Sequence, residues 1–253
     1  MTLNWADKRR VVLLSVTGAA LVLLVAAVTI AVMYETPSCM DGKQNQDERG
    51  IDCGGSCAYL CAADVAPPRV TFARPLQYAT GRADAVAYIE NRNDDAEAKS
   101  ARYTIEIRGE DNLLLAEKEG TMDLPARSIV PVFVPSLYQG SGVASRAFLS
   151  FAEPVLWSAA KEQALQPLIE KVELEAGTRP RVTANVRNAS PSSLYNVRAI
   201  ATIFDSEGTV IAASQTIVRL VPAQGSAQAV FTWSEPFPAE AAKVEVVSVP
   251  QIP

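Results

Sequence analysis

Ala87-Tyr88-Ile89-Glu90-Asn91 returns 97 residues later as Ala184-Asn185-Val186-Arg187-Asn188. With the same shift, Tyr103, Ile105 and Ile107 fall on Ile200, Thr202 and Phe204, Pro125-Ala126 falls on Pro222-Ala223, and Val134 falls on Phe231. One ungapped offset thus aligns strand, turn and strand, and two tandem copies of one module are expected. Within Tyr103-Thr104-Ile105-Glu106-Ile107-Arg108 apolar and polar residues alternate. Side chains repeat every two residues along a strand, so the apolar set is expected in a core and the polar set in water. The same texture, broken by Gly, Pro, Asn and Asp, predicts strands at 69–72, 85–90, 101–108, 113–117, 129–134 and 146–151. A second series follows at 169–174, 181–187, 197–204, 210–214, 227–232 and 243–247. Short strands at such intervals predict an all-β fold of two sandwiches, at 64–157 and 169–253. Between them, residues 158–168 form a linker in which 158–165 are expected to make one or two helical turns before Pro167 stops them.

Leu194-Tyr195-Asn196-Val197, with Asp205 and Gly208 following as a turn, resembles the FxLYD-type immunoglobulin-like module of bacterial and archaeal envelope proteins. The resemblance covers roughly residues 178–233 and implies two tandem immunoglobulin-like β-sandwiches, a fold rather than an activity.

Working outward to the N-terminus, residues 11–33 hold no charge and are rich in Val, Leu and Ala. At about 1.5 Å per helical residue, such a run crosses a hydrocarbon core roughly 30 Å thick. Ser15, Thr17 and Thr29 interrupt it, and hydroxyls of this kind bond back to helix carbonyls. Lys8, Arg9 and Arg10 precede the run, which orients residues 1–10 as a cytoplasmic stub and everything after the span as extracytoplasmic. A cleaved secretory signal would have a shorter apolar region and a small-residue cleavage site, which Ile30-Ala31-Val32-Met33-Tyr34 does not supply. A single-pass signal-anchor in the plasma membrane is therefore expected. The residues beyond the span carry 20 basic and 27 acidic side chains, so that part is repelled by anionic lipid and offers no footprint for nucleic acid.

All four cysteines, Cys39, Cys53, Cys57 and Cys61, lie in the segment 34–63. An even count in a polar extracytoplasmic stretch reads as two disulfides, with three connectivities open. Four thiolates also suit tetrahedral zinc, although structural zinc sites belong mostly to reducing compartments. Asp41, Asn45, Asp47, Glu48 and Asp52 are hard oxygen donors in a Gly-containing loop, a possible calcium site that lacks the EF-hand spacing. The alternative is that these side chains only build turns. The pattern C-x-D-G-x-x-N-x-x-E-x-G-x-D-C-G-G-x-C over residues 39–57 resembles a motif of secreted and surface-exposed bacterial proteins, where it accompanies repeated β-sandwich modules. Cys57 and Cys61 are separated by three residues where two are usual. The resemblance implies location and cross-linking, not a reaction.

The search for chemistry is mostly one of exclusions. The chain has no histidine, which removes His general acid-base catalysis, His-containing triads and His-metal sites. Gly140-Ser141-Gly142 lacks a following Lys and reads as a hairpin loop rather than a phosphate cradle. A serine nucleophile would need a lysine base, for which Lys161 and Lys171 qualify only by default. Asn188-Ala189-Ser190 fits the glycosylation sequon, but its repeat partner Asn91 does not, so both asparagines read as turn residues at strand ends. Trp157, Trp233 and Tyr138 are the aromatics that would mark a binding surface if exposed; a sandwich core is the commoner home for them. No cofactor and no small-molecule substrate are evident. The expectation is a non-enzymatic envelope protein that displays two modules to a protein partner, with an assembly subunit of a secretion or pilus system as one alternative and an envelope hydrolase as another.

Overall fold

The computed structural model describes residues 5–34, 38–161 and 165–252. The helix α1, Trp5–Met33, begins before the apolar run and carries Lys8, Arg9 and Arg10 on its first turns. Its stretch Lys8–Met33 has a mean hydropathy of 2.8 and is not buried against the rest of the protein, so it is long and apolar enough to cross a membrane. The hydroxyls behave as expected: Ser15 donates to the Val11 carbonyl at 2.7 Å, Thr17 to Leu13 at 2.8 Å and Thr29 to Val25 at 2.8 Å. Each bond satisfies the hydroxyl within the helix itself.

The remainder is antiparallel β structure. The first group of strands is β1 Arg69–Gln77, β2 Arg82–Asn91, β3 Ala96–Arg108, β4 Leu114–Leu124, β5 Ser128–Gln139, β6 Arg146–Phe151 and the two-residue β7 Ser158–Ala159. The second is β8 Leu168–Glu175, β9 Arg181–Arg187, β10 Leu194–Phe204, β11 Val210–Val221, β12 Ser226–Thr232 and β13 Lys243–Ser248. Every strand expected from the alternating pattern is present, and the fold is all-β with one N-terminal apolar helix.

Sheets β1-β2-β5 and β4-β3-β6 enclose one core, which includes Ala85, Ala87, Ile89, Ile105, Ile107, Leu124 and Trp157. Sheets β12-β9-β8 and β11-β10-β13 enclose another, which includes Val182, Ala184, Val186, Ala201, Ile203 and Phe231. The sandwiches also stack on each other. Leu76, Val86 and Tyr88 on the outer face of β1-β2-β5 meet Val210 and Ala213 on the outer face of β11-β10-β13, with Phe72, Phe133, Phe204 and Val247 around them. Phe72 and Tyr88 stack with ring centroids 4.8 Å apart. Because β2 is covered on both faces, residues 83–89 are all buried, so Ala83, Ala85, Ala87 and Ile89 on one face alternate with Asp84, Val86 and Tyr88 on another buried face rather than with exposed polar residues.

The strands correct the repeat in one place. The 97-residue shift holds for Asn91 and Asn188, and for Val134 and Phe231, both of which are core residues. It fails in β3. There Ile105 stands opposite Lys118, as Ala201 stands opposite Ser214, and the shift is 96. Ile105 and Ile107 therefore match Ala201 and Ile203 in the two cores, while Thr202 and Phe204 face the other sandwich. Asn91 donates to the Ala96 carbonyl five residues on and Asn188 to the Ser192 carbonyl four residues on, so one residue is inserted between Asn91 and Ala96; β3 also carries a bulge between Ala98 and Ala101. A one-residue slip moves every side chain of a strand to the opposite face, so an ungapped alignment misassigns the whole strand.

The expected helical turns at 158–165 are also corrected. Ser158 and Ala159 pair with Glu97 and Ala96 of β3, and Leu165 bridges to Gln251; residues 162–164 lie outside the described residues. A helix this short gains few hydrogen bonds for the dihedrals it fixes, and an open strand edge supplies better partners.

Candidate functional site: the cysteine knuckle and the module seam

The knuckle is cross-linked by Cys39–Cys57 and Cys53–Cys61, interleaved in sequence. No cysteine is left free among the described residues, which overturns the tetrathiolate zinc reading. Cys39, Glu48 and Cys57 approach one another as a metal site would, but the two sulfurs are bonded to each other and offer no thiolate.

The five oxygen donors are brought into one loop, where they accept hydrogen bonds from the loop itself. Asp41 receives the amides of Ser38 at 3.0 Å and Lys43 at 2.9 Å and the Asn45 side-chain amide at 2.8 Å. Asp52 receives the amides of Asp41 and Gly42 at 3.0 Å. Buried Glu48 receives those of Asn45 and Asp52, each at 3.3 Å, and Asp47 accepts the Ser56 hydroxyl at 2.7 Å. The chain crosses itself so closely that a Cβ on Gly55, at φ +60°, would lie 2.0 Å from the Asp47 carbonyl oxygen. The knuckle is in turn docked on the first sandwich, where the Leu60 amide donates to the Trp157 carbonyl at 2.8 Å; just beyond it, Asn93 exchanges two hydrogen bonds with the backbone of Ala66 in the segment that leads into β1.

These bonds favour the charged form of the carboxylates that accept them. The Ser38 amide, then the Asn45 side chain and the Lys43 amide, hold Asp41 below its ordinary 3.8, and the Ser56 hydroxyl does the same for Asp47. A carboxyl lowered on folding stabilises the fold above its unfolded pKa and loses that contribution as pH falls through the folded one. Amide exchange at Ser38 and Lys43 is therefore expected to be unchanged from pH 7 to pH 5 and to accelerate, relative to its intrinsic rate, below about pH 3.8. Protection that persists unaltered to pH 2 contradicts this role for Asp41.

The aromatics sort differently. Trp157 and Trp233 are 3% and 6% exposed and belong to the two cores, and Tyr138 is half-buried and accepts the Gly142 amide. None of the three is an open binding residue. Lys161 and Lys171 are exposed. Asn188, far from a sugar acceptor, is 1% exposed and donates its side-chain amide to the carbonyls of Ser192, Val221 and Pro222 while accepting the Ser190 amide. Asn91 repeats this arrangement on Ala96, Leu124 and Pro125, with the Asn93 amide. The shared Asn and Pro-Ala punctuation is thus one device: a buried amide that ties the end of a strand to the turn opposite.

The two sandwiches meet along a seam. The Tyr88 hydroxyl and the Thr202 hydroxyl share a hydrogen bond of 2.9 Å across it, fully buried, and burial pushes the Tyr88 phenol up. At one end the seam opens into a cleft of about 270 Å³ where Tyr103, Asp123 and Phe133 face Asn196, Arg198 and Ile200. Beyond the cleft, Tyr195 pairs with Leu220 and Arg198 with Ile217. Tyr195, Leu220 and Ile217 are 64%, 46% and 54% exposed. Sequence reasoning quoted Tyr195 as part of a motif and missed that it is exposed; strand periodicity alone does not say where the neighbouring module stops.

No family model and no curated protein matches the chain. Among solved structures it is similar to the crystal structure of red sea bream transglutaminase at 12% identity and a TM-score of 0.23, across 74% of this chain and 31% of that one. The chain spans less than a third of that protein, and a likeness of this grade bears on neither fold nor activity.

Proposed function

We propose that the chain is a non-enzymatic, single-pass envelope protein of the plasma membrane, in which the N-terminus is cytoplasmic and two immunoglobulin-like modules are held outside for protein interaction. The observation that carries this reading is the connected path from knuckle to seam. The knuckle is cross-linked twice and hydrogen-bonded to the first sandwich, and the first sandwich is locked to the second through Tyr88 and Thr202. Such a path fixes the position of a recognition surface relative to the knuckle, which display requires. Basic residues Lys8, Arg9 and Arg10 ahead of the span support the orientation, and disulfides support an oxidising compartment. Two antiparallel sheets per module, with strands crossing between them, support the immunoglobulin-like reading.

A C-terminal reporter that is active only outside the cytosol is expected to be active on the full chain. A photo-crosslinking residue at Phe148 or Tyr195, both exposed, is expected to trap a protein partner in intact membranes. A silent reporter, or a soluble fragment that turns over glycans or peptides, would overturn the reading.

A further inference from the structure

A sheet edge left open is a template for pairing with another chain, and natural proteins blunt theirs with prolines, charges, bulges or short strands. Nearly every edge here is blunted. β1 has Pro75 and a bulge between Val70 and Phe72, and β5 has Pro131 and Pro135. β4 presents Glu117, Lys118 and Glu119 in succession, and β8 slips register at Lys171. β6, β12 and β13 are only six or seven residues long.

β11 is the exception. It runs 12 residues, keeps register with β10 from Ala212 to Val221, and carries no proline and a single charge, Arg219. Its matched strand in the first sandwich shows what has been omitted: Ala213, Ser214 and Gln215 stand where β4 has Glu117, Lys118 and Glu119, and Ile217 stands where β4 has Thr121. The Ala213 carbonyl is taken by the Trp233 indole N–H at 3.1 Å. Backbone groups alternate in direction along a strand, so Gln215, Ile217 and Arg219 address the same edge, and although β12 of the facing sheet packs near β11, no strand among the described residues is hydrogen-bonded to that edge. On the face beside this edge, the apolar surface that the first sandwich covers at Ala213 continues uncovered at Ile217.

We infer that β11 receives an extended segment of a partner protein by strand addition along residues 214–220. The segment's chemistry follows from the surroundings. Apolar side chains at every second position lie beside Ile217, and at least one carboxylate answers Arg198 and Arg219, which are exposed and make no ion pair among the described residues. A second copy of this chain fits less well: it brings the same two arginines to the contact, and the extracytoplasmic part as a whole is acidic. This inference rests on the interaction reading above and names its site.

The test uses the full chain in lipid nanodiscs and two fluorescent nine-residue peptides, one alternating valine with glutamate and the other valine with lysine. The glutamate peptide is expected to bind at least tenfold more tightly, and to slow amide exchange at Gln215, Ile217 and Arg219. Ile217→Lys, on an exposed side chain, is expected to weaken binding at least tenfold, while Thr121→Lys at the matched position of β4 leaves it unchanged. Arg219→Glu is expected to narrow the preference for the glutamate peptide. Equal affinity for both peptides, indifference to Ile217→Lys, or spontaneous cross-linking of two chains through Gln215→Cys overturns the inference. If peptide binding fails while a crosslinker at Phe148 still traps a partner, β11 is the wrong site and the interaction reading stands. If both fail, that reading falls with it.

Discussion

Phe231→Ala is expected to destabilise the second sandwich by about 3–5 kcal/mol. Phe231 is 1% exposed and sits on β12 opposite Val182 of β9, with Ala184, Ala201 and Ile203 among its core companions. Several of its neighbours are alanines, which cannot extend into the space a truncated ring leaves, so the cavity stays open and adds to the lost transfer energy. Trp233 reports on the same core, and denaturant unfolding followed by its fluorescence in a Trp5→Phe, Trp157→Phe background checks the loss. A midpoint shift equivalent to less than about 1 kcal/mol would show that the site repacks, against the usual behaviour of large aromatic truncations.

Asn188→Ala is expected to cost about 3 kcal/mol, and Asn91→Ala a similar amount in the first sandwich, since each leaves buried carbonyls without a donor at roughly 1–3 kcal/mol apiece. The two positions are independent tests of one device. Each asparagine is 1% exposed, each donates to three carbonyls, and in each the acceptors include the proline of the opposing turn, Pro125 or Pro222. Replacement by aspartate is expected to be as damaging as alanine, because a carboxylate has no proton to donate and meets carbonyl oxygens instead. Unfolding curves that leave either variant within about 1 kcal/mol of the parent would mean that water takes the amide's place.

Much of the architecture was legible because its causes are local. Alternation along Tyr103–Arg108 reflects a strand with one dry face, and the uncharged run at 11–33 gives a helix long and apolar enough to cross a membrane. The candidate sites were less legible. The cysteine pairing depended on which loops cross, and the acidic residues of the knuckle are identical in type to those of a calcium loop; that their oxygens accept the amides of Ser38, Lys43, Gly42 and Asp52 depends on how the loop folds and is not written in residue type. Trp157 and Trp233 could be weighed only by their usual preference for cores, which the structure follows. Tyr195, which is open, lies in a strand whose other half is covered.

Sequence alone determined the strands, the apolar helix, the duplication and the cross-linked character of the knuckle, since each follows from spacing along the chain and needs no knowledge of distant neighbours. Tertiary structure decided the face each residue of β10 presents, the Cys39–Cys57 and Cys53–Cys61 pairing, and the contact of one module with the next. The physical reason is that a single inserted residue between Asn91 and β3 reverses inside and outside for a whole strand, while Tyr88 and Thr202 become partners only when segments 114 residues apart pack together.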